Sequence, residues 1–149
     1  MITVQKILFL KNVPLFSGMP PEDLGHLAGI AEEIVYSEGD EIIREGDHGD
    51  EMFLIVEGKV GIHRQSESLA VLVDRDYFGE MSILDGEPRS ATATAQADCL
   101  LLRIRQTDFY GILERHSNVS LTIIHTLTRR LRQMNQGTIS DDGSDEGAQ

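Results

Sequence analysis

Cysteine is almost missing from this chain: Cys99 is the only one in 149 residues. A single cysteine excludes an intrachain disulfide framework and suits a reducing, cytoplasmic compartment. Cys99 itself reads as a small buried hydrophobe on a strand. Positive charge is also scarce, with 13 Lys and Arg against 25 Asp and Glu, a net charge of -12 and a pI near 4.7. A nucleic-acid surface needs a clustered positive field, so no nucleic-acid partner is expected. The one basic cluster, Arg129, Arg130 and Arg132, reads as a solvated helix face. No apolar run approaches the roughly 18 residues that a membrane span needs, and the apolar start of the chain is too short and interrupted for a signal peptide. Motifs for catalysis are lacking too. His26, His48, His63, His116 and His125 are scattered, with no His-x-His and no i,i+4 pair, so no metal site is expected. There is no Gly-x-Ser-x-Gly nucleophile turn either, and the chain does not read as an enzyme.

What is present suits one globular domain: 149 residues, 40% of them apolar. Over residues 3–31 apolar side chains recur at helical spacing: Ile7, Leu8 and Phe9, then Leu24, Leu27, Ala28 and Ala31. Pro14, Gly18 and the Pro20-Pro21 pair divide this into two short helices, with Pro21 in a first turn. From about residue 34 the rhythm changes to short runs punctuated by Gly and Asp. These predict strands near 34–37, 41–45, 51–57, 59–64, 69–74, 90–96 and 98–105. Met52 to Val56 is apolar throughout and reads as buried on both faces. Ala91, Ala93 and Ala95 alternate with Ser90, Thr92 and Thr94 at a two-residue period. Thr107 is a suitable N-cap for a helix over 108–115, and Ser117 for one over 118–135. In the latter Val119, Ile123, Ile124, Leu127, Leu131 and Met134 form one stripe. The fold class is therefore mainly β with flanking helices. It is a jelly-roll-like β-roll of about eight antiparallel strands, with N-terminal helices and a C-terminal helix pair. Residues 1–12 read as a helical lead-in, 13–136 as the domain, and 137–149 as a disordered acidic tail.

The most informative segment is Phe78-Gly79-Glu80-Met81-Ser82-Ile83-Leu84-Asp85-Gly86-Glu87-Pro88, followed by Arg89-Ser90-Ala91-Thr92. A Gly-Glu pair opens a helical turn, and an Arg follows nine residues after the Glu. Small residues let backbone amides approach an anion, and Arg supplies a fixed donor fork. A carboxylate would repel a bare phosphate, so Glu80 needs another task, and accepting from a sugar hydroxyl is the obvious one. The stretch reads as a ribose-phosphate pocket. It resembles the phosphate-binding cassette of cyclic-nucleotide-binding domains. A second signature of that family stands upstream in Ile42-Ile43-Arg44-Glu45-Gly46-Asp47-His48-Gly49, then Met52-Phe53-Leu54-Ile55 and Gly58. The resemblance covers about 13–135.

The resemblance implies a ligand, cAMP or cGMP, and a role for each cassette residue. Arg89 pairs with the exocyclic phosphate oxygens, and Glu80 accepts from the ribose 2′-hydroxyl. Phe78, Gly79, Met81, Ser82, Ser90 and Ala91 complete the site, several of them through backbone. Ser82 stands where the family usually has Ala or Gly. Ser90 follows the cassette Arg and leans the choice toward cAMP. Residues of the last helix close over the base, which brings Met134 and Asn135 there. Gly39, Gly46, Gly49 and Gly58 are assigned to turns and none to the site. On binding, the cassette helix moves inward and the final helix swings onto the base. A homodimer through residues 118–135 is expected from Ile123, Ile124, Leu127 and Leu131. The DNA-binding domain of transcriptional relatives is missing, so the chain reads as a sensor serving an unknown effector protein or a larger parent. The alternatives are an interaction module that kept the fold without nucleotide binding, or a pocket for a different cyclic nucleotide.

Overall fold

The computed structural model describes the backbone of residues 1–142 and the side chains of residues 1–136. Two helices lead, α1 (Thr3–Lys11) and α2 (Pro21–Ile30), with Pro21 opening α2 where its missing N–H costs nothing. Six strands follow: β1 (Glu32–Tyr36), β2 (Glu41–Ile43), β3 (Glu51–Glu57), β4 (Val60–Arg64), β5 (Glu67–Leu72) and β6 (Tyr77–Phe78). A short α3 (Glu80–Asp85) separates them from β7 (Thr92–Ala95) and β8 (Cys99–Arg105), and α4 (Gln106–Arg115) and α5 (Ser117–Asp142) complete the described chain. The strands form two antiparallel four-stranded sheets, ordered β1-β8-β3-β6 and β2-β7-β4-β5. This is the mainly β, jelly-roll-like architecture with flanking helices that the sequence predicts. No described helix is long and apolar enough to cross a membrane.

The apolar run of β3 explains how the layers stack. Met52 and Leu54 point into a core shared with all the major helices. Phe53 and Ile55, on the opposite face, point into the interior of the roll. A strand buried on both faces reads as a continuous hydrophobic run rather than an alternation. In β7, Ala93 and Ala95 face the roll, but Thr92 is buried as well. Its hydroxyl accepts the backbone N–H of Glu45 at 3.0 Å, so the polar atom is satisfied.

Several local expectations are corrected. The helix expected from Thr107 begins at Gln106, because β8 runs straight into α4 with no loop. The Gln106 N–H is taken by the Asp50 carbonyl at 2.8 Å, so a capping side chain is not required. Phe78, read only as the start of the cassette, and Tyr77, for which no strand is expected, pair with β3 as a strand. The single stripe expected on α5 is two faces. Val119 and Ile123 are buried and Leu127 packs on the same core, whereas Ile124, Leu131 and Met134 are exposed, joined by Leu121. At about 100° per residue, positions 119, 123 and 127 stay in phase while 124 and 131 fall on another side. Helix α5 also continues past Gln136 to Asp142. Gly137 alone does not stop a helix when no proline follows. The remainder of the expected tail, 143–149, lies outside the described residues.

Candidate functional site

The site begins where β6 hands over to α3. Gly79 makes the turn at φ +86°, a left-handed conformation that costs an L-residue about 1–2 kcal/mol. Space is closed there as well, since a Cβ would stand 2.9 Å from Arg89 Nη1 and 3.0 Å from the Glu51 carbonyl oxygen. Phe78, just before it, is buried in the roll and stacked on Phe53 with centroids 5.2 Å apart. Phe78 thus anchors the N-terminal end of α3.

The two signature segments, far apart in sequence, meet at Arg89. Its backbone N–H donates to the Asp47 carbonyl at 2.8 Å, and its own carbonyl accepts from Gly46 N–H at 2.9 Å. The residue is only 7% exposed. Nη1 donates to the Gly79 carbonyl at 2.9 Å and Nη2 to the Glu51 carbonyl at 2.6 Å, so the guanidinium clamps the start of α3 to the start of β3. Burial pushes its pKa down and the Glu51, Asp50 and Glu80 carboxylates oppose this. An arginine stays charged throughout. A cation with donors left over, held at the mouth of a small cavity, is suited to an anionic oxygen.

Gly49 is the residue that the sequence reading misplaces. Gly39, Gly46 and Gly58 do occupy left-handed turns. Gly49 does not, and a Cβ there would overlap the Arg89 guanidinium. Its role is to leave room for that group, and it belongs with the site.

Glu80 is the first residue of α3. Burial holds its carboxyl above the usual carboxylate range, against the opposing pull of its own backbone N–H and of Arg89. No ion pair joins Glu80 to Arg89 among the described residues. A desolvated carboxylate without a partner side chain is available to a hydroxyl donor. It also burdens the fold. Because the folded-state pKa is raised above 4.5, protonation favours the native state, and that contribution is lost as pH rises through the folded value. Glu80→Gln is therefore expected to raise the thermal midpoint of the nucleotide-free protein at neutral pH. The gain should fade as the pH falls below 4.5, where the wild-type side chain is itself neutral. A lower midpoint for the variant at neutral pH would contradict this assignment.

Phe78, Gly79, Glu80, Met81, Ser82, Arg89, Ser90 and Ala91 all line one cavity of about 160 Å³, with Ile43, Ile62 and Tyr77 completing the wall. Met81 is exposed and Ser82 is buried, and both line the cavity. The Ser90 carbonyl is held by Arg64 Nε at 3.2 Å. Ile43 belongs to the upstream signature but is not assigned to the site by it, Ile62 and Tyr77 carry no motif, and as strand residues all three look like ordinary core.

A second cavity of about 430 Å³ shares Tyr77 and Glu80 with the first and extends to Arg130 and Gln133 of α5. The Arg130 guanidinium lies over the Tyr77 ring, 5.5 Å from its centroid. Met134 and Asn135 line neither cavity. Met134 sits one turn beyond Arg130 and is 68% exposed. Asn135 is rotated by about 140° from Arg130 around the helix. Among the described residues, no group of three or more His, Cys, Asp or Glu is placed to hold a metal ion.

Comparison with known proteins agrees with this geometry. The sequence pattern of the family described as cyclic nucleotide-binding domain matches residues 33–116, more than half of the chain. The Cyclic AMP receptor protein of Thermus thermophilus is 35% identical over 129 residues, which cover 83% of this chain and 60% of that protein. A cAMP-dependent protein kinase regulatory subunit of Aspergillus niger is 33% identical over 107 residues, 70% of this chain and 26% of that one. Among solved structures, the N-terminal domain of a transcriptional regulator from Streptomyces coelicolor A3(2) superposes with a TM-score of 0.79 at 33% identity. That match covers 87% of this chain and 94% of the other. The regulatory domain of Toxoplasma gondii PKA, crystallised with cAMP, shares the fold with a TM-score of 0.72 at 23% identity, covering 88% of this chain and 50% of that one. The chain thus spans 60% or less of the two full-length relatives.

Proposed function

The chain belongs to the cyclic nucleotide-binding domain family, and on that premise we propose that it binds a 3′,5′-cyclic nucleotide monophosphate, cAMP in preference to cGMP, as a regulatory sensor. The observation that carries this reading is the convergence of Arg89 and Glu80 on one small cavity walled by the 78–82 and 89–91 segments. Arg89 meets the exocyclic phosphate oxygens with the N–H groups that its clamp leaves unused. Glu80 accepts from the ribose 2′-hydroxyl, the hydroxyl that a 3′,5′-cyclic phosphate leaves free. Backbone amides of the Gly79 to Ser82 turn and of Ser90 and Ala91 flank the sugar-phosphate, and Phe78 supports them.

The base extends past Glu80 toward α5, where Arg130 and Gln133 already stand. Met134 and Asn135 come over it when α5 swings inward. Such a swing occurs only to the extent that nucleotide binds the closed arrangement better. Ser90 after the cassette Arg supports cAMP, as do relatives that are named for cAMP. A second copy of the chain meets the exposed edge of α5 along Ile124 and Leu131, with Leu121 and Met134 in place of the inward Ile123 and Leu127; light scattering that returned a monomer would remove this contact. The role is binding, not catalysis, in the cytoplasm, with the output passed to an effector protein.

Displacement of a fluorescent cAMP analogue by cAMP, 2′-deoxy-cAMP and cGMP tests the assignment. A hydrogen bond to a charged group contributes about 1.5–3 kcal/mol, so 2′-deoxy-cAMP should compete at least tenfold more weakly, roughly, than cAMP. Equal competition would remove Glu80 from the ribose. Stronger competition by cGMP than by cAMP would reverse the base preference.

A further inference from the structure

Tyr110 and Gln106 line neither cavity, yet both reach the cassette helix. They stand one turn apart on α4 and donate to a single acceptor, the carbonyl of Ile83. Tyr110 does so through its hydroxyl and Gln106 through Nε2 at 3.1 Å. Gln106 Nε2 is also 3.3 Å from the Tyr110 hydroxyl, so the two donors steady each other. Ile83 lies in the last turn of α3, where carbonyls have no intrahelical N–H to receive. Gly86 N–H goes to the Ser82 carbonyl at 2.9 Å, which leaves the Ile83 carbonyl to α4.

The Ile83 side chain is fully buried in the helix-side core, in the same cluster as Phe109 and Ile112 of α4. Helix α3 is therefore keyed to α4 twice, by an apolar side chain and by a carbonyl. A second thread runs through the other end of the site. The Gln106 N–H donates to the Asp50 carbonyl at 2.8 Å, and the next carbonyl along, that of Glu51, receives Arg89 Nη2. Beyond α4, Ser120 Oγ donates to the Leu113 carbonyl at 3.0 Å across the junction with α5. Helix α4 thus touches the end of α3, the strand that holds Arg89, and the start of α5.

We propose that Tyr110 and Gln106 are positioning residues of the nucleotide site: by holding the Ile83 carbonyl they set where α3 sits and make α4 and α5 move with it. This rests on the reading of the cavity as a cyclic-nucleotide pocket. A contact that merely supported α3 would affect its local stability without tying it to residues 117–135.

The test compares amide hydrogen exchange in the wild-type chain and in Tyr110→Phe with Gln106→Ala, each with and without saturating cAMP. In wild type, cAMP should change exchange across 117–135. In the double variant cAMP should still bind at saturating concentration, with reduced affinity, while the change across 117–135 is lost. A full change in the variant overturns the proposal. Without nucleotide, the variant should exchange faster at 80–87 and 106–116 and at the wild-type rate in β1 and β4. Equal rates at 80–87 overturn the proposal as well. Should the wild-type chain take up no cAMP, the pocket reading falls, and the nucleotide-free comparison still decides whether the Ile83 carbonyl is held. Tyr110→Phe alone, which keeps the ring, serves if the double variant does not fold.

Discussion

Arg89→Ala is expected to weaken cAMP binding by about 30- to 1000-fold, the equivalent of roughly 2–4 kcal/mol for a charged pair in a partly desolvated pocket. A second effect separates Arg89 from a residue that only touches ligand. Its guanidinium also satisfies the Gly79 and Glu51 carbonyls. Removing it leaves both acceptors in a partly buried site, at a cost of about 1–3 kcal/mol of stability. Arg89→Lys restores the charge but not the fork, so it should recover only part of each loss. Calorimetric titration reads the affinity and thermal unfolding reads the stability. Wild-type affinity in a folded Arg89→Ala protein would remove Arg89 from the phosphate site.

Gly49→Ala is expected to damage binding nearly as severely, although the substituted residue would not itself contact the ligand. The backbone at Gly49 is not in the left-handed region, so alanine meets no conformational penalty. What it meets is the Arg89 guanidinium, whose atoms occupy the position its Cβ would take. Arg89 is tied by two side-chain hydrogen bonds and two backbone ones, so it cannot move aside without breaking some of them. Overpacking of this kind typically costs about 1–3 kcal/mol. Here it should appear both as lowered stability and as weakened cAMP binding. Gly29→Ala is the control, because a Cβ there meets nothing within 4 Å. It sits within α2 and should be neutral or stabilising. Unchanged affinity in Gly49→Ala would mean that Arg89 need not occupy its observed place to bind.

These two positions mark the boundary of what the sequence reveals. Arg89 and Glu80 are legible because the spacing of the cassette encodes a local turn, and local geometry survives in any fold that keeps the segment. The strand character of Met52 to Val56 is legible for a similar reason, since its unbroken apolar run shows that both faces are covered. Gly49 is not legible in the same way. A glycine reveals freedom in φ and lack of a side chain equally, and only the neighbour decides which matters. Tyr77, Ile43 and Ile62 escape because an apolar wall of a cavity has the composition of a core. Met134 and Asn135 depend on how α5 lies against the roll, which is set by the inward packing of Val119, Ile123 and Leu127 rather than by a motif. Arg130 and Gln133 are what that packing brings to the cavity instead. The link from Tyr110 and Gln106 to Ile83 is equally tertiary, joining residues 27 and 23 positions apart.

The most direct test is calorimetric titration of the folded, nucleotide-free wild-type protein with cAMP and, separately, with 5′-AMP. The ring-closed phosphate with a free 2′-hydroxyl should give saturable heat at one site per chain. The open 5′-monophosphate, larger and doubly charged at the phosphate end, should give none in the same range. Absence of saturable binding by cAMP would contradict the central claim that the cassette cavity is a working cyclic-nucleotide site.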